Sequence, residues 1–269
     1  MSPANFGNWG FAASRNDPFE VKTFRSDLHV HTVVSPCAEV EMIPPLIVEG
    51  ALEKQIDLIA ITDHNSTANI EAVLRAAAGT GLFVLPGMEI QTREDIHSIC
   101  IFDTLKQAIQ FQEVVDRALP GLVNDPEHFG EQFVVDESGD FVRREERLLI
   151  TACSMSIDEA FNIVNSIGGL FIPAHINRKS FGLIASLGFV PPEIPFEALE
   201  ISRHITQEQA RLTIPGVKSI PLIQDGDVHR LDEFLGTLLL TLDHPSVSEI
   251  RKAFRSESGR SFSISSLAG

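Results

Sequence analysis

The chain has 269 residues, 43% of them hydrophobic, with 37 acidic against 21 basic side chains and a formal charge of −16. That length suits one α/β barrel and buries a sizeable core without staples. No apolar run approaches the ~20 residues that span a bilayer, three cysteines (Cys37, Cys100, Cys153) make no disulfide framework, and so large an acidic excess argues against a long nucleic acid as partner.

The first residues, through about 24, read as a polar arm spotted with aromatics and lacking the basic-then-apolar order of a secretory signal. With the cysteine usage, this points to a cytoplasmic protein. Strands are then expected at Thr23–Val30, Asp57–Ile61, Leu82–Leu85, Ser98–Phe102, Leu170–Ile172, Ala198–Ile201, Ser219–Ile223 and Thr237–Leu242. Helical spacing falls between them at Pro44–Lys54, Ala68–Ala78, Thr104–Leu119, Ser156–Ser166, Ser180–Leu187, Gln207–Leu212 and Ser246–Arg255. Turn signals flank two strands: PGM after Leu85, and the glycine pair before LFIPAH. Strand and helix alternation implies a parallel sheet with helical crossovers, closed as an α/β barrel from residue 25 to 269. The stretch from Pro120 to Cys153 breaks the rhythm. Its run QFVVDESGDFVRREERLLI has a turn at Glu137–Asp140 between two strand-like runs, which predicts a β-hairpin in an insertion. Two readings stand for that insertion, a cover over the active site and a surface excursion.

Six of nine histidines lie beside ends of those strands: His29, His31, His64, His97, His175 and His229. Asp27, Asp63, Glu89 and Asp227 join them. In a parallel barrel the strand C-termini share one face, so these residues converge. His97 fits less well, because it precedes its strand. His29 and His31 stand two apart and project the same way from an extended strand. Imidazole with carboxylate suits Zn, Mn or Fe better than Mg or Ca. A lone buried histidine is more often a satisfied structural residue, but six in matching positions point to a metal centre. His128 and His244 read as surface histidines.

The segments SDLHVHT, ITDHN, GMEI, PAHINR and GDVH, in this order and spacing, resemble the motifs of the PHP (polymerase and histidinol phosphatase) family. The resemblance runs from about Asp27 to His229. It implies a distorted seven-stranded (βα) barrel, a cluster of two or three divalent transition metals, and hydrolysis of phosphate esters. Carried over, it assigns His29, His31, Glu89 and Asp227 to one metal. Glu89 would bridge to a second, completed by His97 and His175, and His64 and His229 would hold a third. Cys37 stands where one family pattern has a ligand. It is either a thiolate ligand or a small residue packed in a loop. Asp27 and Asp63 read as partners orienting ligand imidazoles, or as caps and turn residues.

Such a cluster generates a metal-bridging hydroxide and clamps phosphate oxygens. Glu89, Asp227 and Asp63 are the expected catalytic carboxylates. Arg178 is expected to bind the substrate phosphate, with Lys179 beside it. Arg203 and His204 follow the sixth strand and either meet substrate, with His204 protonating the leaving group, or serve as surface residues. Arg230 is a weaker candidate of the same kind. The acidic balance favours a small-molecule or nucleotide phosphate ester over an exonuclease substrate. A non-catalytic module with a structural metal ranks last, since nearly every motif position is filled.

Overall fold

A computed structural model describes residues 21–265, so nearly all of the expected N-terminal arm lies outside the described residues. The elements run β1 (Lys22–Val30), α1 (Pro44–Glu53), β2 (Leu58–Ile61), α2 (Ile70–Ala76), β3 (Phe83–Gln91), β4 (His97–Ile101), α3 (Leu105–Ala118), α4 (Pro126–Phe129), β5 (Phe133–Val135) and β6 (Phe141–Arg144). They continue with α5 (Ile157–Ser166), β7 (Leu170–Pro173), α6 (Leu183–Leu187), β8 (Leu199–Glu200), α7 (Gln207–Thr213), β9 (Leu222–Ile223), β10 (Leu238–Leu242), α8 (Val247–Phe254) and β11 (Ser261–Ile264). Helix starts follow local chemistry. Pro44 opens α1, Thr104 accepts from the Gln107 N–H at α3, and Ser156 with Glu159 forms a reciprocal cap at α5.

Seven strands form one curled sheet in the order β11-β10-β1-β2-β3-β4-β7, a half-barrel, and β8 pairs with β9 separately. The expected all-parallel arrangement is not what forms. Only β1-β2-β3 and β8-β9 are parallel, while β4 runs against both β3 and β7, and β10 against both β1 and β11. The chain after β9 lies along β1: His31 N donates to Val228 O, and Val228 N to His29 O, each at 2.9 Å.

Both faces of the sheet are buried. Ile59, Ile61, Cys100 and Phe171 face the cluster under α1, α3 and α5. Leu58, Ala60, Ile99, Ile101, Leu170 and Ile172 face the other, closed by Val247, Ile250 and Phe254 of α8. Two-sided burial is why these strands read as continuous apolar runs.

Strand β3 is longer than the sequence suggests. The PGM segment ends no strand but marks a change of partner: Phe83–Pro86 pairs with β2, and Gly87–Gln91 pairs with β4. A Cβ at residue 87 would stand 2.9 Å from the carbonyl oxygens of Ile61 and Cys100, so glycine admits the close approach of both neighbours. Strand β11 was not expected at all. Its alternation of Ser and apolar residues is half exposed, and it forms as the edge partner of β10. Within the stretch that breaks the rhythm, β5 and β6 pair antiparallel as a separate two-stranded sheet. Its turn is fastened by the Asp136 carboxylate, which accepts from Ser138 N at 2.9 Å and Asp140 N at 3.0 Å. Among the described residues no helix is long and apolar enough to cross a membrane.

Candidate metal centre

Strand direction explains the outlying histidine. Because β4 is antiparallel to β3, its first residue pairs with the last of β3, His97 with Gln91. The N-terminal end of β4 therefore shares the face onto which β1, β2, β3 and β7 deliver their C-termini. His29, His31, His64, Glu89, His97 and His175 all meet there.

Glu89 lies at the middle, 1% exposed. Its Oε1 is 3.3 Å from His29 Nε2, 3.0 Å from His97 Nδ1 and 3.2 Å from His175 Nε2. Its Oε2 is 2.9 Å from His64 Nδ1 and 3.4 Å from His31 Nε2. Asp227 closes the open side, with Oδ1 3.3 Å from His29 Nε2, 3.5 Å from His31 Nε2 and 3.4 Å from His229 Nδ1. The backbone of two residues of the cluster is strained: His175 and Asp227 have φ of +29° and +50°, a region that L residues occupy where surrounding structure forces it.

The donor set fits divalent metal. His29 Nε2, His31 Nε2, Glu89 Oε2 and His175 Nδ1 are buried without a hydrogen-bond partner, and burying such atoms unsatisfied is costly. The other nitrogens of the first pair are fixed. His29 Nδ1 lies 3.1 Å from Glu200 Oε2, and His31 Nδ1 lies 3.0 Å from Ser35 Oγ. Ser35 Oγ in turn donates to Asp63 Oδ1 at 2.7 Å. Held so, each ring turns its Nε2 lone pair inward, the disposition of a metal-ligating histidine. Three ligand triads emerge: His29, His31 and Glu89; His64, Glu89 and His97; His31, His64 and His229.

Electrostatics follow the same grouping. Burial pushes the Glu89 carboxyl up, but His97, His29 and His64 hold it well below the usual range. Burial opposes charge on His29, and Glu200, Asp227 and Glu89 overcome it and raise that imidazole well above its ordinary value. His31 goes the other way, lowered by burial and by its neighbours His229 and His64. Burial pushes the Cys37 thiol up, yet His64 and His229 pull it down to about 6. Cys37 thus stands beside the third triad, at an exposed rim.

Asp27 does not touch the imidazoles. Its carboxylate accepts from Gly226 N at 2.8 Å and Leu235 N at 2.9 Å, the turn-holding alternative. Asp63 acts one step back through Ser35, and also accepts from Thr32 N at 2.6 Å. Glu200 and Ser35 escaped the sequence reading. The signal for Glu200 was an acid inside the apolar strand run ALEI. Ser35 carried none.

Outside the cluster lies an open cleft of about 380 Å³, lined by Cys37, Arg178, Arg203, His204, Asp227, His229, Arg230 and Glu233. The expected phosphate-binding residues thus converge, except Lys179, which is exposed and does not line it. Arg178 Nη2 pairs with Asp227 Oδ2 at 2.5 Å, Arg203 Nη2 donates to Gly226 O, and Arg230 Nη1 lies 3.6 Å from Glu39 Oε1. His128 and His244 are on the surface, as expected.

A curled α/β sheet carrying a His/Glu/Asp cluster on one face defines a metal-site protein of the PHP type. The chain belongs to the PHP domain family, whose model matches residues 27–163. Over 77 residues, 28% of this chain and 25% of the relative, it is 38% identical to the 5'-3' exoribonuclease Rnm of Salmonella typhimurium. Its fold superposes on the lesion-specific endonuclease PfuEndoQ from Pyrococcus furiosus with a TM-score of 0.70 at 20% identity, over 90% of this chain and 58% of that one. Endonuclease Q in complex with a 27-mer duplex bearing an abasic lesion gives 0.68 at 21% identity, over the same shares. The matches thus span a quarter of the curated relative and somewhat over half of the endonuclease.

These relatives overturn the expectation drawn from charge. A protein named as an exoribonuclease shares sequence with this chain, and one named as a lesion-specific endonuclease shares its fold, so the exclusion of a long nucleic acid, and the restriction to a small-molecule ester, do not stand. The physical reason is that the formal charge of −16 sums the whole surface, whereas charges more than about 8 Å apart are screened in physiological salt. Locally the cleft presents three arginines, and bound divalent ions would offset its carboxylates.

Proposed function

We propose that this chain is a metal-dependent phosphodiesterase that cleaves nucleic acid. The observation that carries the reading is a single buried carboxylate, Glu89, within 3.4 Å of five imidazoles, beside an open cleft lined by three arginines. His29, His31, Glu89 and Asp227 would hold one metal. Glu89, His97 and His175 would hold a second, and His64 and His229 a third with the Cys37 thiolate. When bound, such ions lower the pKa of water and polarise the phosphoryl oxygens. The imidazole-rich set favours Zn, Mn or Fe.

The chain's own residues supply the rest. Arg178 binds a non-bridging phosphate oxygen, and Arg203 contacts the flanking backbone. His204 gives its proton to the leaving oxygen. Asp63 keeps His31 aligned through Ser35. The half-barrel is the frame of a (βα) barrel, and the β5-β6 hairpin is an insertion on its loops. The names of the relatives, an exoribonuclease and an endonuclease, support a nucleic-acid substrate.

The test pairs metal analysis with turnover. Protein purified without chelator is expected to carry two or three transition metals and to cut labelled RNA or DNA oligonucleotides, and chelation should abolish cutting until Mn²⁺ or Zn²⁺ is returned. A metal-replete protein that hydrolyses bis(p-nitrophenyl) phosphate but no oligonucleotide would overturn the nucleic-acid part.

A further inference from the structure

Phe181 holds a conformation that aromatic residues avoid. Its φ is +60°, a region costly for any side chain with a Cβ and rare for bulky ones. Two backbone hydrogen bonds tie down the loop around it. Arg178 N donates to His175 O at 2.9 Å, and His97 N donates to Phe181 O at 3.0 Å. Gly182 follows, where a Cβ would stand 2.4 Å from the Arg178 carbonyl oxygen, so the loop closes this tightly only with glycine there. Strain of this kind persists where surrounding structure imposes it, and it clusters at binding sites.

The strain presents the ring in a particular way. Phe181 stacks on His97, with centroids 4.5 Å apart and planes 6° from parallel. It nevertheless remains 43% exposed. The same short loop offers Arg178, whose guanidinium reaches Asp227 on the open side of the cluster. One strained turn therefore carries a phosphate-binding cation and an accessible aromatic ring. Those are the two chemistries a nucleotide needs, one for its phosphate and one for its base.

We infer that Phe181 is a nucleobase-stacking residue, receiving the base next to the phosphate held by Arg178. The inference rests on the nucleic-acid reading above and adds a binding role to a residue no motif marks. The competing role is a lid over His97 with no contact to substrate.

The experiment uses the metal-replete full chain and its Phe181→Ala, Phe181→Leu and Phe181→Trp variants. Each is given a labelled single-stranded oligonucleotide and the same strand with abasic residues throughout. Losing one stacked base should raise KM by roughly 5- to 150-fold. On the intact strand Phe181→Ala and Phe181→Leu should show that rise with kcat and metal content unchanged, and Phe181→Trp should restore KM. On the abasic strand, wild type and Phe181→Ala should have equal KM. Fluorescence anisotropy of the metal-replete proteins with an uncleavable analogue of the intact strand should give the same ranking without turnover. Equal KM and equal binding for wild type and Phe181→Ala on the intact strand would overturn the inference. So would a fall in kcat and metal content that Phe181→Leu rescues on both strands, since that is the signature of a lid. Wild type inert on oligonucleotides yet active on bis(p-nitrophenyl) phosphate would instead remove the nucleic-acid reading, and this inference with it.

Discussion

His29 Nδ1 lies 3.2 Å from Oε1 and 3.1 Å from Oε2 of Glu200, and both residues are buried. The Glu200 carboxylate also accepts from the backbone N–H of His175 at 2.9 Å. One acid on β8 thus fixes the ring of His29 on β1 and the main chain of His175 after β7. Outer partners of this kind are typically worth about 10- to 100-fold in metal affinity. Glu200→Gln is therefore expected to weaken metal binding by that factor while keeping the fold, as read by metal titration beside circular dichroism. Unchanged affinity would mean that His29 keeps its orientation unaided.

Glu89→Gln should abolish turnover and lower the metal content by at least one ion per chain. The residue touches five imidazoles, and an amide cannot serve as a bridging anion among them. Elemental analysis and oligonucleotide cleavage check this. Full metal content with wild-type cleavage would dissolve the bridging assignment.

Arg178→Ala should raise KM for phosphodiesters by about 10-fold or more, the worth of a hydrogen bond to a charged group, with metal content unchanged. Steady-state kinetics under metal saturation decide it. If KM and kcat both stay put, the guanidinium serves only its pair with Asp227.

Salt dependence should be shallow. Three arginines line the cleft, and each phosphate neutralised on a single strand contributes about −0.7 to the slope of log K against log salt. A slope near −2 is expected in anisotropy titrations. A much steeper slope would place a basic surface elsewhere on the chain.

Acid stability should depend on Glu249 at the start of α8. Burial pushes its carboxyl up, but Arg260, Lys252 and the Asp243 N–H outweigh that and hold it at about 2, against an ordinary value of 4.5. A carboxylate depressed in the folded state stabilises it above the unfolded pKa, and that stability drains away as pH falls toward the folded pKa. The difference in urea-unfolding free energy between wild type and Glu249→Gln should be full at pH 6, shrink below about 4.5 and vanish near 2. A difference that does not vary with pH would assign the effect to packing.

The sequence by itself marked the residues that gather. His29, His31, His64, Glu89, His175, Asp227 and His229 are polar residues at or near the ends of apolar runs, and so many in matching positions are expected to converge on one candidate site. The runs were legible because the sheet is covered on both faces, so Leu58, Ile59, Ala60 and Ile61 are all apolar.

Tertiary structure decided partners and strain. Only five residues, 92–96, join β3 to β4, too few for a parallel crossover, so the two run antiparallel; with β3 expected to end at Leu85 that short link was hidden, and it is what brings His97 to the cluster. Glu200 reaches His29 across 171 positions of sequence, a relation set by where β8 lies beside the half-barrel. Likewise β11 forms as the edge partner of β10, and Phe181 holds its left-handed backbone in a loop tied to His97 by a hydrogen bond and closed at Gly182. Net charge misled for a related reason. It is a sum over the sequence, whereas binding is governed by the few charges that the fold gathers within a screening length of the substrate.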